Sequence, residues 1–270
     1  MFEPRIFFDL KQYQHQQLFP EDRPVWTVLD RLTEYIDSFF SKSWPLADTS
    51  GQIEKTLVIR NGIVRDDLEV KPTGARGKIQ VYEKGKTVDD CAVIMAGACL
   101  FDDHIILGAG TVVEPGALIK GPTVVGNNTE VRQGAYMRGT CLVGNDCVVG
   151  HATEMKNSIM LDGAKAGHFA YIGDSILGNA ANLGAGTKLA NLKMIPGTIA
   201  IRYDGKKYDT GRRKLGAILG DNTETGCNSV TSPGTLMGPS SIVYPAVAAP
   251  AGFYPKRARI APPRDCPVTK

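Results

Sequence analysis

The chain has 270 residues, of which 43% are hydrophobic, so it can bury a sizeable core as one large domain or two small ones. Its net charge is only +3 with both signs mixed, which argues against a nucleic-acid surface but permits small anionic substrates. No apolar run is long enough for a signal peptide or a membrane span, and the six cysteines form no CxxC pair. We expect a cytoplasmic protein with reduced thiols and no nucleic-acid or membrane partner.

The N-terminal region, residues 1–90, shows no internal repeat. Apolar residues recur at helical spacing between residues 23 and 42: Val25, Leu29, Leu32, Ile36 and Phe39. The spacing predicts one amphipathic helix whose apolar stripe packs on the rest of the molecule. Residues 52–88 are typical of short strands and turns.

A period of six dominates the next region, residues 91–253. Twelve apolar residues follow at intervals of six: Met95, Phe101, Leu107, Val113, Ile119, Val125, Val131, Met137, Val143, Val149, Met155 and Leu161. A second column, four residues after each of these, is mostly small and includes Cys99, Cys141 and Cys147. A helix repeats at 3.6 residues and a strand at 2, so neither keeps such columns aligned. Three short strands per coil of about 18 residues do, and the period therefore predicts a mainly β fold, a parallel β-helix with both columns inside.

The small column also bears on the cysteines. A free thiol in an inward column behaves as a small hydrophobic group, so core packing is favoured over catalysis for Cys99, Cys141 and Cys147.

The period slips after Leu161 and is interrupted near residues 192–214. That segment is charged and aperiodic, which indicates an excursion from the coils, with a hairpin around Asp204-Gly205. Loops that leave a rigid scaffold commonly carry function. The period returns at Leu219, and the proline-rich, basic tail, residues 254–270, is predicted to cap the last coil or to lie across a neighbour.

Several short sequence motifs surround the point at which the six-residue spacing changes. They are Glu154-Met155-Lys156, Lys165-Ala166-Gly167-His168, Tyr171-Ile172-Gly173-Asp174, Asn182-Leu183-Gly184-Ala185-Gly186-Thr187 and Asp209-Thr210-Gly211-Arg212-Arg213-Lys214. In order and spacing they resemble the acetyltransferase domain of the bifunctional, archaeal-type sugar-1-phosphate nucleotidylyltransferases, which are hexapeptide-repeat acyltransferases. The resemblance covers roughly residues 90–245. It implies a left-handed coil sense and an N-acetyltransferase that uses acetyl-CoA to modify an amino-sugar-1-phosphate.

The resemblance also implies roles for individual residues. His168 would be the general base, a task suited to a side chain that titrates near neutral pH, with Asn182 and Ala185 beside it in the catalytic group. The implied substrate-binding residues are Arg138, Lys156 and Lys214 for the phosphate, Tyr171 for the sugar, and Asn191 near the acetyl group. The implied coenzyme A site includes Ala185, Gly186 and Cys227, and the backbone N–H groups of residues 184–186 could face the thioester oxygen.

By the same resemblance, coenzyme A would lie outside the coils between subunits of a homotrimer, and no metal would be required. The nucleotidylyltransferase half of the family has no counterpart in residues 1–90, so we do not expect sugar-nucleotide synthesis.

Other interpretations stay open at this point. His168 could be a corner residue bonded to backbone, the cations could be solvated surface charges, and the asparagines could cap turns. A γ-type carbonic anhydrase shares the coil but binds zinc through three histidines, and the four histidines here, His15, His104, His151 and His168, lack the close pair spacing of that family. A non-catalytic scaffold, or an acyltransferase for another amino sugar or sugar nucleotide, would also fit the repeat.

Overall fold

The computed structural model describes residues 1–40, 46, 49–73 and 78–262. The last eight residues of the predicted tail lie outside this part of the chain.

The main body is a parallel solenoid of about nine turns, each turn contributing one short strand to each of three flat faces. The first face contains Cys91–Ile94, Val112–Val113, Glu130–Val131, Val148–His151, Lys165–His168, Asn182–Leu183, Glu224–Thr225, Ile242–Val243 and Arg259–Ile260. The second contains Cys99–Leu100, Leu118–Lys120, Tyr136–Arg138, Glu154–Lys156, Tyr171–Gly173, Lys188–Leu189, Val230–Thr231 and Ala248–Ala249. The third contains Ile105–Leu107, Thr123–Val125, Cys141–Val143, Ser158–Met160, Ile176–Leu177, Ala217–Leu219, Thr235–Met237 and Gly252–Tyr254.

Stacked side chains fill the inside of the coils. The inward column runs through Val113, Ile119, Val131, Met137 and Val149, all fully buried. Every sixth residue points inward because each face and its corner together take about six residues. The predicted fold class, a left-handed parallel β-helix, is therefore confirmed.

The strict count of six is wrong by one residue at three positions. Leu100 rather than Phe101 pairs with Ile119, and Phe101 is 56% exposed. Ile94 rather than Met95 pairs with Val113 in the same way. The spacing from Leu100 to Leu107 is seven residues instead of six. Positions counted back from Leu107 in steps of six therefore fall one residue too far along the chain.

The third error, at Leu161, arises because one residue is missing from a corner, whereas the first two arise from one extra residue. Met160 takes the inward place opposite Val143, and Leu161 is buried outside the coil instead. Two corners between the second and third faces are one residue short, because Asn157 and Asp174 each turn the chain alone, with φ of 42° and 47°. Left-handed φ values of this kind are most readily adopted by glycine, asparagine and aspartate.

The N-terminal region covers the third face. An outward column on that face, Val124, Leu142, Ile159, Ile176, Ile218 and Leu236, is buried under the aromatic residues Phe2, Phe7, Phe8, Tyr13, Phe19 and Trp26. Burying large aromatic and aliphatic side chains stabilises a fold by about 1.5 to 3 kcal/mol for each. Solvent can therefore reach the coils mainly over the first and second faces.

Two short helical segments stand in place of one continuous amphipathic helix. They are the 3₁₀ helix Val25–Asp30 and the α-helix Leu32–Asp37, and two further 3₁₀ helices, Pro4–Ile6 and Gln16–Leu18, precede them. Arg31, with φ −104° and ψ −3°, separates the two segments. Val25, Leu29, Leu32 and Ile36 still face the solenoid and are buried, whereas Phe39 is 37% exposed.

The remaining strands lie outside the parallel coils. Gly51–Gln52 adds to the second face, and Leu57–Arg60 with Ile63–Arg65 adds to the first, all antiparallel. A three-stranded antiparallel sheet is made of Glu69–Pro72, Ile79–Glu83 and Lys86–Val88. None of the helices in the described part of the chain has the length and apolar character needed to cross a membrane.

The segment 192–214 leaves the coils as a two-stranded hairpin. Its strands are Ala200–Tyr203 and Lys206–Asp209, and Asp204-Gly205 forms the turn with φ of 49° and 69°. Two positive φ values are the requirement of the tight turns that suit twisted hairpins. The rings of Tyr203 and Tyr208 lie 6.1 and 5.2 Å from that of Phe2, so the hairpin folds back on the N-terminal region.

Candidate active site

A groove crosses the first face and ends at its corner with the second. His168 is the last residue of its strand, and Phe169, with φ 53°, turns the chain there. His168, Asn182, Ala185 and Cys227 come from three successive coils and all line the groove, whose volume is about 570 Å³. The structure thus brings together the three predicted catalytic residues and two of the three predicted coenzyme A residues, Ala185 and Cys227.

The backbone around Ala185 offers one free donor. The N–H of Gly184 donates to the carbonyl of Thr225 at 2.8 Å, and that of Gly186 donates to the carbonyl of His168 at 3.0 Å. Within the described residues the N–H of Ala185 has no acceptor, and it lies between those two engaged groups. Three N–H groups, those of residues 184–186, were considered as donors to the thioester oxygen. Two of them already donate hydrogen bonds to neighbouring coils, so only the N–H of Ala185 is available.

Gly186 has a conformational role instead. Its φ is +76°, and a Cβ at this position would overlap the side chain of Asn228 in the next coil. Glycine is therefore required by the backbone. Gly186 does not line the groove.

Cations also line the groove. Arg132 forms an ion pair with Glu130 at 2.7 Å, and the side-chain ammonium of Lys165 has no ion-pair or hydrogen-bond partner among the described residues. Neither residue was assigned a role from the sequence, although Lys165 begins one of the matched motifs, because surface lysines and arginines carry no distinctive pattern.

A second group of predicted residues lies around the corner on the second face. Asp174 is buried, and its carboxylate accepts hydrogen bonds from the side-chain amides of Asn157 at 2.7 Å and Asn191 at 2.5 Å. The ammonium of Lys156 lies 3.3 Å from the same carboxylate. A buried charge requires such partners, since an unpaired one is strongly destabilising. Asp174 thus holds Lys156 and Asn191, two predicted substrate-binding residues, in one network.

Tyr171 extends across Gly173 toward this network. Its hydroxyl lies 3.4 Å from Asn191 Oδ1, and a Cβ on Gly173 would lie 2.6 Å from the same hydroxyl. Burial raises the pKa of the Tyr171 hydroxyl, and the negative charges of Glu154 and Asp174 raise it further. Tyr171 therefore stays a neutral hydrogen-bonding group.

Arg138 lies on the same face, two coils from Tyr171. It donates to Glu154 Oε1 at 2.6 Å, and Glu154 pairs in register with Tyr171. The hydrogen bond to Glu154 raises the pKa of the guanidinium above its ordinary value. The side chain of Arg138 is 43% exposed, so this pair is screened by water and can be opened by a competing anion.

Lys214 is exposed at the base of the hairpin, where it forms an isolated bridge with Leu192. Arg212, two residues earlier, is directed inward: it lies 3.8 Å from Asp174 and forms an ion pair with Asp30. The structure thus directs Arg212, rather than Lys214, at the Asp174 network. The sequence contains Arg212 and Arg213 in the matched motif, but the motif does not show which of its cations points toward Asp174.

The buried thiols are structural. Cys141 and Cys147 lie in the inward column, and burial raises the pKa of each to about 12. Their packing role is confirmed, while Cys99 is only partly buried. Cys227 is exposed and lines the groove.

Comparison with known proteins identifies the family of the chain. Residues 119–230 match the family model described as the GMPPB C-terminal domain. The uncharacterized acetyltransferase YaiX of Escherichia coli O6:K15:H31 (strain 536 / UPEC) is 33% identical over 184 residues, which are 67% of this chain and 78% of that protein. The chain belongs to this acetyltransferase family. The prediction of a hexapeptide-repeat acyltransferase is thereby confirmed.

Further relatives match about a third of the chain. The bifunctional sugar-1-phosphate nucleotidylyltransferase/acetyltransferase of Sulfurisphaera tokodaii is 38% identical over 96 residues, 36% of this chain and 24% of that protein. The bifunctional protein GlmU of Methanococcus maripaludis (strain C7) is 39% identical over 94 residues, 35% of this chain and 23% of that protein. The chain therefore spans only about a quarter of the length of these bifunctional relatives.

Proposed function

We propose that this acetyltransferase moves an acetyl group from acetyl-CoA to the nitrogen of an amino-sugar-1-phosphate, either glucosamine-1-phosphate or galactosamine-1-phosphate. The observation that carries the proposal is the convergence of His168, Asn182 and Ala185 in one groove. The Asp174 network lies at the far end of the strand Tyr171–Gly173, which follows the corner after His168. We further propose that the protein acts as a homotrimer in the cytoplasm, with coenzyme A in the groove between two copies.

In the proposed reaction the acceptor nitrogen attacks the carbonyl carbon of the thioester. His168 takes the proton that the nitrogen must lose, and the free N–H of Ala185 donates to the oxygen that gains negative charge. The carbon–sulfur bond then breaks, and the departing thiolate takes the proton from His168. Atoms and charges balance without a further reactant.

The second face would bind the acceptor. Arg138 and Lys156 supply positive charge for a phosphate, which forms strong charge-assisted hydrogen bonds with such groups. The hydroxyl of Tyr171 and the amide of Asn191 supply neutral contacts for sugar hydroxyls. On the first face, Lys165 and Arg132 supply positive charge for the phosphates of the donor.

The test is an acceptor panel. Thiol release from acetyl-CoA is measured with glucosamine-1-phosphate, galactosamine-1-phosphate and unphosphorylated glucosamine, and the product is identified by mass spectrometry. We expect N-acetylation of at least one sugar phosphate and a much higher KM for glucosamine, which lacks the phosphate. No transfer to either sugar phosphate would contradict the proposed substrate class.

The same samples test the proposed assembly. Sedimentation should give a mass three times that of the 29.1 kDa chain. A purely monomeric protein with full activity would contradict the shared site.

A further inference from the structure

The second histidine at the corner, His151, lies directly beside His168 in the preceding coil. The two residues are register partners on the first face, and their rings stack with centroids 5.5 Å apart and planes 24° apart. This is within the range of offset-stacked rings. From this stack we infer that His151 is a positioning residue, whose ring holds the imidazole of His168 in the orientation needed at the acceptor nitrogen.

The backbone fixes the alignment of the two rings. Ala152 and Phe169, which follow the two histidines, have nearly equal φ of 48° and 53°, and Phe169 N–H donates to the carbonyl of His151 at 2.8 Å. Before them, Gly150 and Gly167 pack so closely that a Cβ at Gly150 would overlap the carbonyl of Gly167. Two coils with the same corner geometry and close backbones project their side chains in parallel, so the stack follows from the fold.

The two sides of His168 are unlike. On one side lies the ring of His151, and on the other the register places Ala185, whose methyl group leaves that side open to the groove. The ring of Phe169 borders His168 at 6.2 Å. An imidazole supported on one side and open on the other presents a defined orientation to a substrate.

The stacking also distinguishes positioning from proton relay. In a relay one ring nitrogen points at the next group along a hydrogen bond, as in the triads of hydrolases. Here the two faces are nearly parallel, and no hydrogen bond joins the rings. His151 therefore acts through the geometry of His168, and its aromatic surface rather than its nitrogen atoms carries the effect.

This inference rests on the proposed function, and the experiment separates the two. His151→Ala should lower kcat by about 10- to 100-fold, the scale of a displaced catalytic group, while both KM values change little. His151→Phe keeps a flat ring and should restore kcat to within a few-fold of the parent. Gln133→Ala, one coil further along the same column, is the matched control and should retain parental kinetics.

A second readout does not depend on activity. The chain has only four histidines, so the imidazole C–H resonance of His168 can be assigned by its loss in His168→Ala. Removing the neighbouring ring in His151→Ala should shift that resonance, and His151→Phe should keep it near a ring-current-shifted position. An unchanged His168 resonance or an unchanged kcat in His151→Ala overturns the inference, as does a failure of His151→Phe to restore kcat. If the parent transfers no acetyl group, the proposed function fails, and the resonance still decides whether the rings stack.

Discussion

The side-chain amide of Asn191 donates a hydrogen bond of 2.5 Å to Asp174, a buried carboxylate at a corner that is one residue short. Asn157, the residue at the other short corner, donates to the second oxygen of the same carboxylate at 2.7 Å. The slip in the six-residue period and the Asp174 network therefore have one origin, since both short corners meet at this carboxylate.

Replacement of Asp174 should destabilise the protein and disturb the acceptor site. Asp174→Asn removes the charge that neutralises Lys156 and approaches Arg212, so we expect the free energy of unfolding to fall by about 3 kcal/mol. Chemical denaturation measures the change. Asp146→Asn is the matched control, because Asp146 also turns a corner, with φ 56°, but is exposed. Its effect should stay within about 0.5 kcal/mol, and equal losses in the two variants would contradict the role of the network.

Release of Arg138 from its carboxylate should favour a phosphate-bearing acceptor. In Glu154→Gln the guanidinium loses its ion-pair partner but remains in place, so the KM for the preferred sugar phosphate should fall about 2- to 5-fold. Unphosphorylated glucosamine should not benefit. Glu83→Gln, which removes the carboxylate partner of Arg60 in the N-terminal region, serves as the control and should leave KM unchanged. A higher KM for the sugar phosphate in Glu154→Gln would argue against phosphate binding by Arg138.

The sequence predicted the coil well because its physical cause is local. Each face and corner takes about six residues, so the inward side chains at Val113, Ile119 and Val131 can be counted directly. The count failed at Met95, Phe101 and Leu161, where loops and corners gained or lost one residue. A changed loop or corner length cannot be recognised from the apolar pattern. Leu161, for example, is apolar and buried although it lies outside the coil.

The site was predicted less completely. The motifs around His168 pointed to the groove, and the structure places Asn182, Ala185 and Cys227 there. The inward turn of Arg212 depends on the hairpin packing against Asp30, a contact across 182 residues of chain. Residue spacing along the sequence cannot predict a contact between such distant residues.

Coenzyme A should protect the thiol of Cys227. Cys227 is exposed in the groove, whereas Cys141 and Cys147 are buried with their pKa raised to about 12, so neither of these reacts as a thiolate in the native state. In a Cys266→Ser background, a thiol reagent should modify Cys227 first, and saturating coenzyme A should slow that reaction at least several-fold. Cys227→Ser removes the fast phase and is the control. Equal rates with and without coenzyme A would place the cofactor elsewhere.

Acid should weaken the N-terminal region through His15. This histidine is buried beside Tyr35, and burial lowers its pKa to about 4. The unfolded chain binds a proton at His15 below about pH 6.5, while the folded chain does not until about pH 4. Stability is therefore fully present above pH 6.5 and is lost as the pH falls toward 4, by roughly 3 kcal/mol at most.

The comparison of variants isolates that contribution from other titrating groups. His15→Gln should show a flatter dependence of unfolding free energy on pH between 6.5 and 4 than the parent. His104→Gln, at an exposed histidine, should follow the parent. Parallel curves for the parent and His15→Gln would contradict the buried, neutral state of His15.

The most direct test of the account is the dependence of acetyl transfer on His168. Steady-state thiol release from acetyl-CoA, with the best sugar-phosphate acceptor at saturation, is compared between the parent, His168→Ala and the exposed control His104→Ala. We predict that kcat falls by about 10²- to 10⁴-fold in His168→Ala, the range for loss of a general base, and is unchanged in His104→Ala. A His168→Ala variant that keeps the parental kcat would contradict the central claim that His168 is the base of this acetyltransferase.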